Sequence, residues 1–380
     1  MKLSIMLALK SNAACLRLPL SLLSAAAALT ITLTLPATAG PDDHRGAATL
    51  GVLTANLYVG GDIGRAISAD PSDPMNLVAA VTGVYTDIVA SNPPARMKAL
   101  AKQIAKRSPE MVALQEVSLI RFQSPGDLGA TPATTVVFDY LELLQTELHA
   151  LGADYRVAST AQQIDVEMPM LASMVPMVIA DVRLTDRDVI LVRNDHPRAH
   201  LQVSNAQHGN FENVLQIPTL GLTIERGWCS VDVAVRGRKF RFVCAHLEQE
   251  TAPTIQAAQA GELLAGPVNT RLPVILAGDF NADALHRDGS FTYDLMPEAG
   301  LVDTWAQLHP RTPKGGLTWG HDDLLADPGV RFDRRIDFIF HHGKGLVPIC
   351  SNVVDVTTGL RPSPRWASDH AAVTATFLVK

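Results

Sequence analysis

The sequence predicts one α/β or α+β domain in which a β-sheet core is covered by helices. Short apolar stretches that end in a polar residue alternate with longer stretches of helical periodicity. No segment after residue 48 has the composition of a linker, and strands outnumber helices in the second half. With 47% hydrophobic and 18% charged residues, the 380-residue chain is neither a disordered protein nor a fibre.

The first half of the chain alternates strands and helices. Leucines at helical spacing mark the helix that follows Asp139, and the stretch before it is rich in Gly, Pro, Ser and Thr. The expected elements are a strand at 49–57, helices at 74–90 and 94–106, a short buried strand at 111–115, a loop at 118–134, a helix at 139–151 and a strand at 155–160.

The second half is richer in strands, and residues 161–215 form an insert that is its least regular part. The methionines of this insert fit either a lipid-facing or lid surface or ordinary packing, and the sequence leaves both open. They are Met168, Met170, Met174 and Met177. The expected elements are strands at 188–192, 231–235, 240–243, 273–277, 336–340 and 371–377 and a helix at 254–264.

The strands at 231–235 and 240–243 form an expected hairpin with a cysteine at each outer end. A two-residue loop at Arg236-Gly237 places Cys229 opposite Cys244, where a cross-strand disulfide can form. A four-residue loop puts the two cysteines out of register. The sequence leaves both loops open.

Residues 1–39 have the features of a secretory signal peptide. Three basic residues and no acid accompany an apolar run from Leu18 to Leu35, and Ala37-Thr38-Ala39 forms a small-x-small cleavage site. An uncleaved anchor helix is the alternative, because the run is long enough to span a bilayer. Cleavage before Gly40 leaves residues 40–380 as a single domain and predicts a secreted or periplasmic protein without an integral membrane segment.

Charge and motifs exclude several function classes. The formal net charge is −6, and loss of the three basic residues of the signal peptide lowers it to −9. This balance argues against a protein that holds nucleic acid by a broad basic surface. Gly-x-Ser-x-Gly and Walker motifs are absent from the sequence, so serine hydrolase and P-loop functions have no support.

Polar residues at the ends of apolar strands carry the functional signal. Each of them alone has a structural explanation, such as a turn former, a loop acid or a core imidazole. Together they indicate one site, because the carboxyl ends of strands gather at one edge of a sheet. Oxygen ligands favour Mg2+, Ca2+ or Mn2+ over zinc, and imidazoles suit acid–base chemistry. The set is Asn56, Glu116, His246, Asp279, Asn281, Asp337, Asp369 and His370.

The order of these residues and their local motifs resembles the endonuclease/exonuclease/phosphatase superfamily. The motifs are Leu-Gln-Glu-Val, His-Leu, Gly-Asp-Phe-Asn, Ile-Asp-Phe and Ser-Asp-His, and the resemblance covers about residues 48–378. The superfamily includes pancreatic-type deoxyribonucleases, abasic-site endonucleases, inositol polyphosphate 5-phosphatases and bacterial sphingomyelinases. The resemblance implies a four-layer sandwich of two packed mixed sheets flanked by helices, which replaces the single sheet expected from the pattern.

The resemblance also implies a divalent metal site. Glu116 would be the principal ligand, with Asn56 close to it, and Asp369 would assist the metal or its waters. The expected ion is Mg2+, with Mn2+ or Ca2+ as alternatives.

The remaining residues receive catalytic roles from the same resemblance. Asp279 would orient or deprotonate the attacking water, and Asn281 would hold a phosphate oxygen. His370 would bond the scissile phosphate, with Asp337 fixing its tautomer. His246 matches the second imidazole of the deoxyribonuclease and sphingomyelinase branches and is a candidate general acid or transition-state donor.

The expected function is therefore an exported, metal-dependent phosphoesterase that acts by in-line attack of water on phosphorus. A phospholipid or small phosphoester is slightly favoured as substrate, because the chain has no lysine-rich track for DNA. A secreted nuclease acting on DNA or RNA is the alternative within this class. A non-catalytic binding protein on the same fold is the alternative of another class, and the oligomeric state is not predicted.

Overall fold

Two β-sheets packed face to face form the centre of the computed structural model, which describes residues 48–70, 72–194, 201–328, 332–359 and 365–380. The core between the sheets contains Leu50 and Val52 from the first sheet and Val231 and Phe242 from the second, all fully or almost fully buried. The signal-peptide prediction concerns residues 1–39, which lie outside the described residues.

The strands and helices have the following bounds. The strands are β1 (Ala48–Asn56), β2 (Met111–Gln115), β3 (Leu119–Gln123), β4 (Thr135–Asp139), β5 (Tyr155–Met174), β6 (Met177–Arg193), β7 (Leu201–Asn210), β8 (Leu215–Ile217), β9 (Leu222–Ile224), β10 (Gly227–Val235), β11 (Arg238–His246), β12 (Val274–Asp279), β13 (Val302–Asp303), β14 (Asp337–His342), β15 (Leu346–Val354) and β16 (Ala372–Val379). The helices are α1 (Gly64–Ile67), α2 (Pro74–Ala90), α3 (Pro93–Arg107), α4 (Tyr140–Ala150), α5 (Pro253–Ala265), α6 (Leu295–Glu298) and α7 (Thr304–Leu308).

The strands form two large mixed sheets between two layers of helices. The first sheet has the order β15-β16-β1-β2-β6-β3-β4, with β5 also paired to β6. The second has the order β13-β14-β12-β11-β10-β7. Helices α3 and α4 cover the outer face of the first sheet, and α5 and α6 cover that of the second. This arrangement confirms the two-sheet sandwich and shows that the single-sheet expectation was wrong.

Helix α3 shows how sequence produces the outer layer. The Asn92 side chain accepts a hydrogen bond from the Ala95 N–H and caps the first turn. Met97, Leu100 and Ile104 then recur at helical spacing and are buried against the first sheet. None of the helices in the described ranges is long and apolar enough to cross a membrane.

The insert at 161–215 is largely regular in its described residues, 161–194 and 201–215, which corrects the sequence expectation. β5 and β6 pair along almost their whole length, and β7 continues the second sheet. The register of β5 and β6 shifts at three points, and Pro169 lies within β5. These shifts interrupt the alternation of polar and apolar residues by which strands are recognised. The expected loop at 118–134 was also partly wrong, because β3 lies inside it.

The β10–β11 hairpin has the two-residue loop. Arg236 and Gly237 both have positive φ angles, 49° and 82°, as the tight turn between twisted strands requires. Cys229 consequently lies opposite Cys244, which confirms that register. Both cysteines are buried and their thiols are free, so the structure has no disulfide between them.

Candidate active site

Strand register brings the predicted residues of the second sheet into one row. β11 is parallel to β12, and β12 is antiparallel to β14, so Asp279 lies opposite His246 on one side and Asp337 on the other. In the first sheet β1 is parallel to β2, and Asn56 lies opposite Gln115, directly before Glu116. The ends of five strands therefore build the site from both sheets.

Close backbone approach at Gly278 allows this row to form. A Cβ atom at this position would lie 1.9 Å from the carbonyl oxygen of Ala245 on β11. Glu116 and Asn281 follow their strands with φ angles of 52° and 50°, in the left-handed region that costs energy for residues with a side chain. The site thus depends on the close backbone contact at Gly278 and on left-handed backbone conformations at Glu116 and Asn281.

Asn56 connects the two sheets through its side-chain amide. Its Nδ2 donates to Glu116 Oε1 at 3.0 Å and to Asp279 Oδ2 at 2.9 Å. Its Oδ1 accepts a hydrogen bond from the Tyr58 N–H at 2.8 Å. Asn56 is therefore placed to hold the two carboxylates in position, and its Oδ1 keeps a second lone pair that a metal could use.

His370 is fixed by Asp337. The distance from His370 Nδ1 to Asp337 Oδ2 is 2.9 Å, so Nδ1–H donates to the carboxylate and Nε2 points elsewhere. His370 Nε2 lies 3.7 Å from Asp279 Oδ2 and 3.9 Å from Asp369 Oδ1. The ring therefore faces the centre of the site with Nε2.

Asp369 is held at the rim of the site by an indole. Trp319 Nε1 donates to Asp369 Oδ2 at 3.2 Å. The preceding residue, Ser368, donates its hydroxyl to the carbonyl oxygen of Asn56 at 2.8 Å. These contacts join the Ser-Asp-His segment to the end of β1.

His246 lies on the opposite side of Asp279 from Asp337. Its Nε2 is 3.5 Å from Asp279 Oδ2 and 3.2 Å from Asn281 Nδ2. Arg226 Nη1 lies 3.1 Å from the other ring nitrogen, Nδ1. A neutral imidazole accepts at only one nitrogen, so His246 accepts a hydrogen bond from one of these two donors while its other nitrogen carries the proton.

Burial and mutual repulsion raise the pKa values of two carboxyl groups of the site. Burial, with the nearby charge of Asp337, raises the pKa of Asp279 to about 7, although the His370 charge opposes the shift. Burial also raises the pKa of Asp369 to about 6, and the Glu116 charge adds to this shift. Perturbed carboxyl groups of this kind concentrate at functional sites.

The pKa values of the two histidines shift in opposite directions. Burial disfavours the charge on His370, but Asp337, Asp369 and Asp279 more than offset it, so its pKa rises well above the ordinary value. Burial and then the Arg226 charge lower the pKa of His246 well below the ordinary value. One imidazolium and one neutral imidazole thus flank the same aspartate, an arrangement that separates two acid–base roles.

The donor set fits a divalent cation. Asp279 and Asp337 place carboxylate oxygens within 4.8 Å of each other and of a His370 ring nitrogen, and all three residues are buried. The protonated His370 ring offers no lone pair to a cation, so the carboxylates are the possible ligands. Within the described part of the chain, Asp337 Oδ1 is buried without a hydrogen-bond partner. Glu116 and Asp369 add two further carboxylates whose charges repel each other. An excess of buried carboxylate oxygen is the environment that hard cations bind.

The structure adds a charged cluster that the sequence did not assign to the site. Arg226 is nearly buried beside His246, and Asp188 Oδ1 lies 4.0 Å from His246 Nδ1. Burial disfavours the charge of Arg226, but Glu248 and Asp186 more than offset it and raise its pKa. Asp188 had been expected only as part of the strand at 188–192, and Asp186 lies just before that strand.

Comparison with known families supports the same interpretation. The model of the Endonuclease/Exonuclease/phosphatase family matches residues 53–370. The chain belongs to this family. A search of curated protein sequences gave no match. Members of the endonuclease/exonuclease/phosphatase family are hydrolases that act on phosphoester bonds, and the resemblance inferred from the motifs is confirmed.

Solved structures share the fold at low sequence identity. A family protein from Leptotrichia buccalis has 15% identity, a TM-score of 0.52 and coverage of 86% of this chain and 99% of its own. One from Bacteroides thetaiotaomicron has 17% identity, a TM-score of 0.52 and coverage of 88% and 96%. One from Beutenbergia cavernae has 21% identity, a TM-score of 0.50 and coverage of 87% and 72%. These similarities establish the endonuclease/exonuclease/phosphatase fold and leave the substrate undetermined.

Proposed function

We propose that this member of the family is an exported phosphoesterase that depends on a divalent metal and cleaves a phosphoester bond by in-line attack of water. The observation that carries the proposal is the placement of Asp279. Its Oδ2 lies 2.9 Å from Asn56, 3.5 Å from His246 and 3.7 Å from His370. A carboxylate held between one imidazolium and one neutral imidazole is suited to position a water molecule and accept its proton.

The charged groups around Asp279 have complementary tasks. His370, kept as an imidazolium by Asp337, would donate from Nε2 to a phosphoryl oxygen and stabilise negative charge developing there. The neutral ring of His246 would accept one hydrogen bond from Arg226. The other N–H groups of the Arg226 guanidinium would then serve as a second set of donors beside the phosphate. Asn281 would hold a phosphoryl oxygen from the same side.

Glu116 and Asp369 are the proposed metal ligands, with Asn56 holding the Glu116 carboxylate in place. The hydrogen bond between Asp337 and His370 already accounts for the proximity of those two side chains, so they need no shared cation. A divalent cation bound there, Mg2+ in the first instance, would supply positive charge next to the phosphate. The family's phosphoester chemistry supports this assignment, and the ion itself is part of the proposal.

A substrate panel tests the proposal. We expect turnover with Mg2+ on at least one of sphingomyelin, inositol phosphates, bis-p-nitrophenyl phosphate, plasmid DNA and RNA, and loss of that turnover in EDTA. Cleavage of DNA or RNA alone would favour the nuclease alternative. Absence of EDTA-sensitive turnover on every member, with Mn2+ and Ca2+ also supplied, would favour a non-catalytic binding protein. Export is tested by N-terminal sequencing of secreted protein, which should begin at Gly40.

A further inference from the structure

The end of the β5–β6 hairpin is an exposed apolar surface without charge. Residues 168–180 contain no Asp, Glu, Lys or Arg. At the tip, Met174, Val175 and Met177 are 72%, 90% and 68% exposed. We call residues 174–177 the hairpin tip. Three neighbouring large apolar side chains with this exposure are unusual on a protein surface that is covered only by water.

The rest of the protein supports the hairpin almost to its end. β5 and β6 remain paired as far as Met174 and Met177. The Leu171 N–H donates to Thr82 Oγ1 on α2 at 2.8 Å. On the other side, the Gly126 N–H donates to the carbonyl oxygen of Ile179 at 2.8 Å. The tip is therefore the end of a hydrogen-bonded hairpin that contacts α2 and the loop at Gly126, and it is not part of an unsupported loop.

Further apolar groups lie next to the tip. Leu128, in the loop that contacts the hairpin through Gly126, is 75% exposed. Leu171 and Met75 line an open cavity of about 390 Å3 between the hairpin and α2. The adjoining surface is thus partly apolar, and the ion pair between Arg65 and Asp87 also lies in the lining of the same cavity.

The hairpin extends from the sheet edge that carries the candidate site. β6 is antiparallel to β2, and the Val117 N–H, next to Glu116, donates to the carbonyl oxygen of Arg187. From Arg187 back to Met177 the strand continues beyond that edge for about 33 Å of extended chain. The hairpin tip therefore lies beyond the same end of β2 at which the site is found.

We propose that the hairpin tip inserts into the surface of an electrically neutral lipid layer. A tip has a convex shape and offers few side chains, far less than the ~800 Å2 per partner that a stable protein interface buries. Binding to anionic lipid relies on Lys and Arg, which the hairpin end does not carry between residues 168 and 180. Zwitterionic headgroups, such as phosphocholine, impose no such requirement.

This inference stands independently of catalysis. If the proposed function also holds, insertion of the tip would bring the site to a lipid–water interface, where phosphoesters of lipid headgroups are the accessible substrates. The experiment therefore measures binding and hydrolysis separately.

Flotation with phosphatidylcholine vesicles tests the inference on the exported form that begins at Gly40. We expect the wild type to float with the vesicles and Val175→Asp to bind at least about tenfold more weakly, because a carboxylate resists burial in the apolar layer. Ile349→Asp is the matched control, since Ile349 is 48% exposed on β15, at the edge of the first sheet opposite β4. It should bind like the wild type.

Each other outcome overturns the inference. These outcomes are a wild type that stays with the soluble fraction, a Val175→Asp variant that binds equally well, and binding that requires phosphatidylglycerol. Loss of a dimer in Val175→Asp, without vesicle binding by the wild type, would assign the tip to self-association instead. Hydrolysis of bis-p-nitrophenyl phosphate by Val175→Asp should equal that of the wild type. This activity shows that the variant is folded and separates failure of lipid binding from failure of the proposed function.

Discussion

Among single residues, Gly278 sets the tightest steric condition on the site. Its missing side chain lets β12 approach Ala245 of β11, and this approach aligns Asp279 with His246. The motif Gly-Asp-Phe-Asn therefore has a packing reason for its first residue as well as a chemical reason for its acid. Neither reason depends on which phosphoester is cleaved.

We predict that Gly278→Ala lowers the free energy of unfolding by about 2 kcal/mol or more, because the added methyl group overlaps the Ala245 carbonyl. Gly261→Ala is the control. Gly261 lies in α5 with no atom near its missing Cβ, so alanine there should raise stability by roughly 0.5–1 kcal/mol. Urea unfolding of both variants measures the difference. Equal stability of the two variants would mean that the close approach at Gly278 does not exist.

Sequence motifs located the residues of the site better than they located their partners. Asn56, Glu116 and Asp279 end or directly follow an apolar strand, whereas His370 lies just before one, and this local signal was sufficient to find them. Asp188 stands inside a strand, with no local mark of function. Its position beside His246 depends on a contact between strands of different sheets, which only the fold reveals.

At the level of elements, a buried histidine joins two segments near the rim of the site. His321 Nδ1 lies 3.0 Å from Asp327 and its Nε2 lies 3.2 Å from Asp355. The ring stacks on Trp366 with centroids 4.1 Å apart. Burial disfavours the charge, but hydrogen bonds to Asp355 and Asp327 more than offset it and raise the pKa of His321.

We predict that His321→Gln destabilises the protein by roughly 2 kcal/mol at pH 6 and by clearly less at pH 9. A pKa raised by folding contributes stability that is complete below the unfolded value of about 6.5 and is lost as the pH rises through the folded value. Urea unfolding at the two pH values measures this, with the exposed His149→Gln as control. The same loss of stability at both pH values would refute the charged pairing.

The hairpin β5–β6 shows where element prediction fails. Its core end, Val189 to Val192, is a continuous apolar run and was recognised as a strand. Its outer part alternates irregularly because the register shifts, and ion pairs such as that between Arg183 and Asp165 place charges on strand residues. Pairing with β3 and α2 stabilises this part, and such non-local contacts leave no periodic signal in the sequence.

At the scale of the whole molecule, the two sheets could not be separated by pattern alone. β1 and β16 pair residue 48 with residue 379, and local periodicity contains no information on such pairing. The four-layer arrangement was reached through the motifs and their resemblance to a family. The fold then explains why the motifs are scattered along the sequence, since strand ends from both sheets converge at one place.

The acidic balance of the chain is consistent with this arrangement. The formal net charge is −6, and carboxylates gather at the site, where Asp279 and Asp337 are buried and Glu116 and Asp369 are partly buried. A bound divalent cation would offset two of those charges where a phosphate must approach. The overall charge therefore does not exclude an anionic substrate.

The measurement that tests the central claim most directly is the initial rate of bis-p-nitrophenyl phosphate hydrolysis, in Mg2+ and in EDTA, by the wild type and by Asp279→Asn. Glu142→Gln, an exposed carboxylate on α4, is the control. We expect Asp279→Asn and EDTA each to lower the rate by at least about 10²-fold, because the proton acceptor or the cation is then missing, while Glu142→Gln retains the wild-type rate. An Asp279→Asn variant that unfolds at the same urea concentration as the wild type and retains its rate would contradict the account.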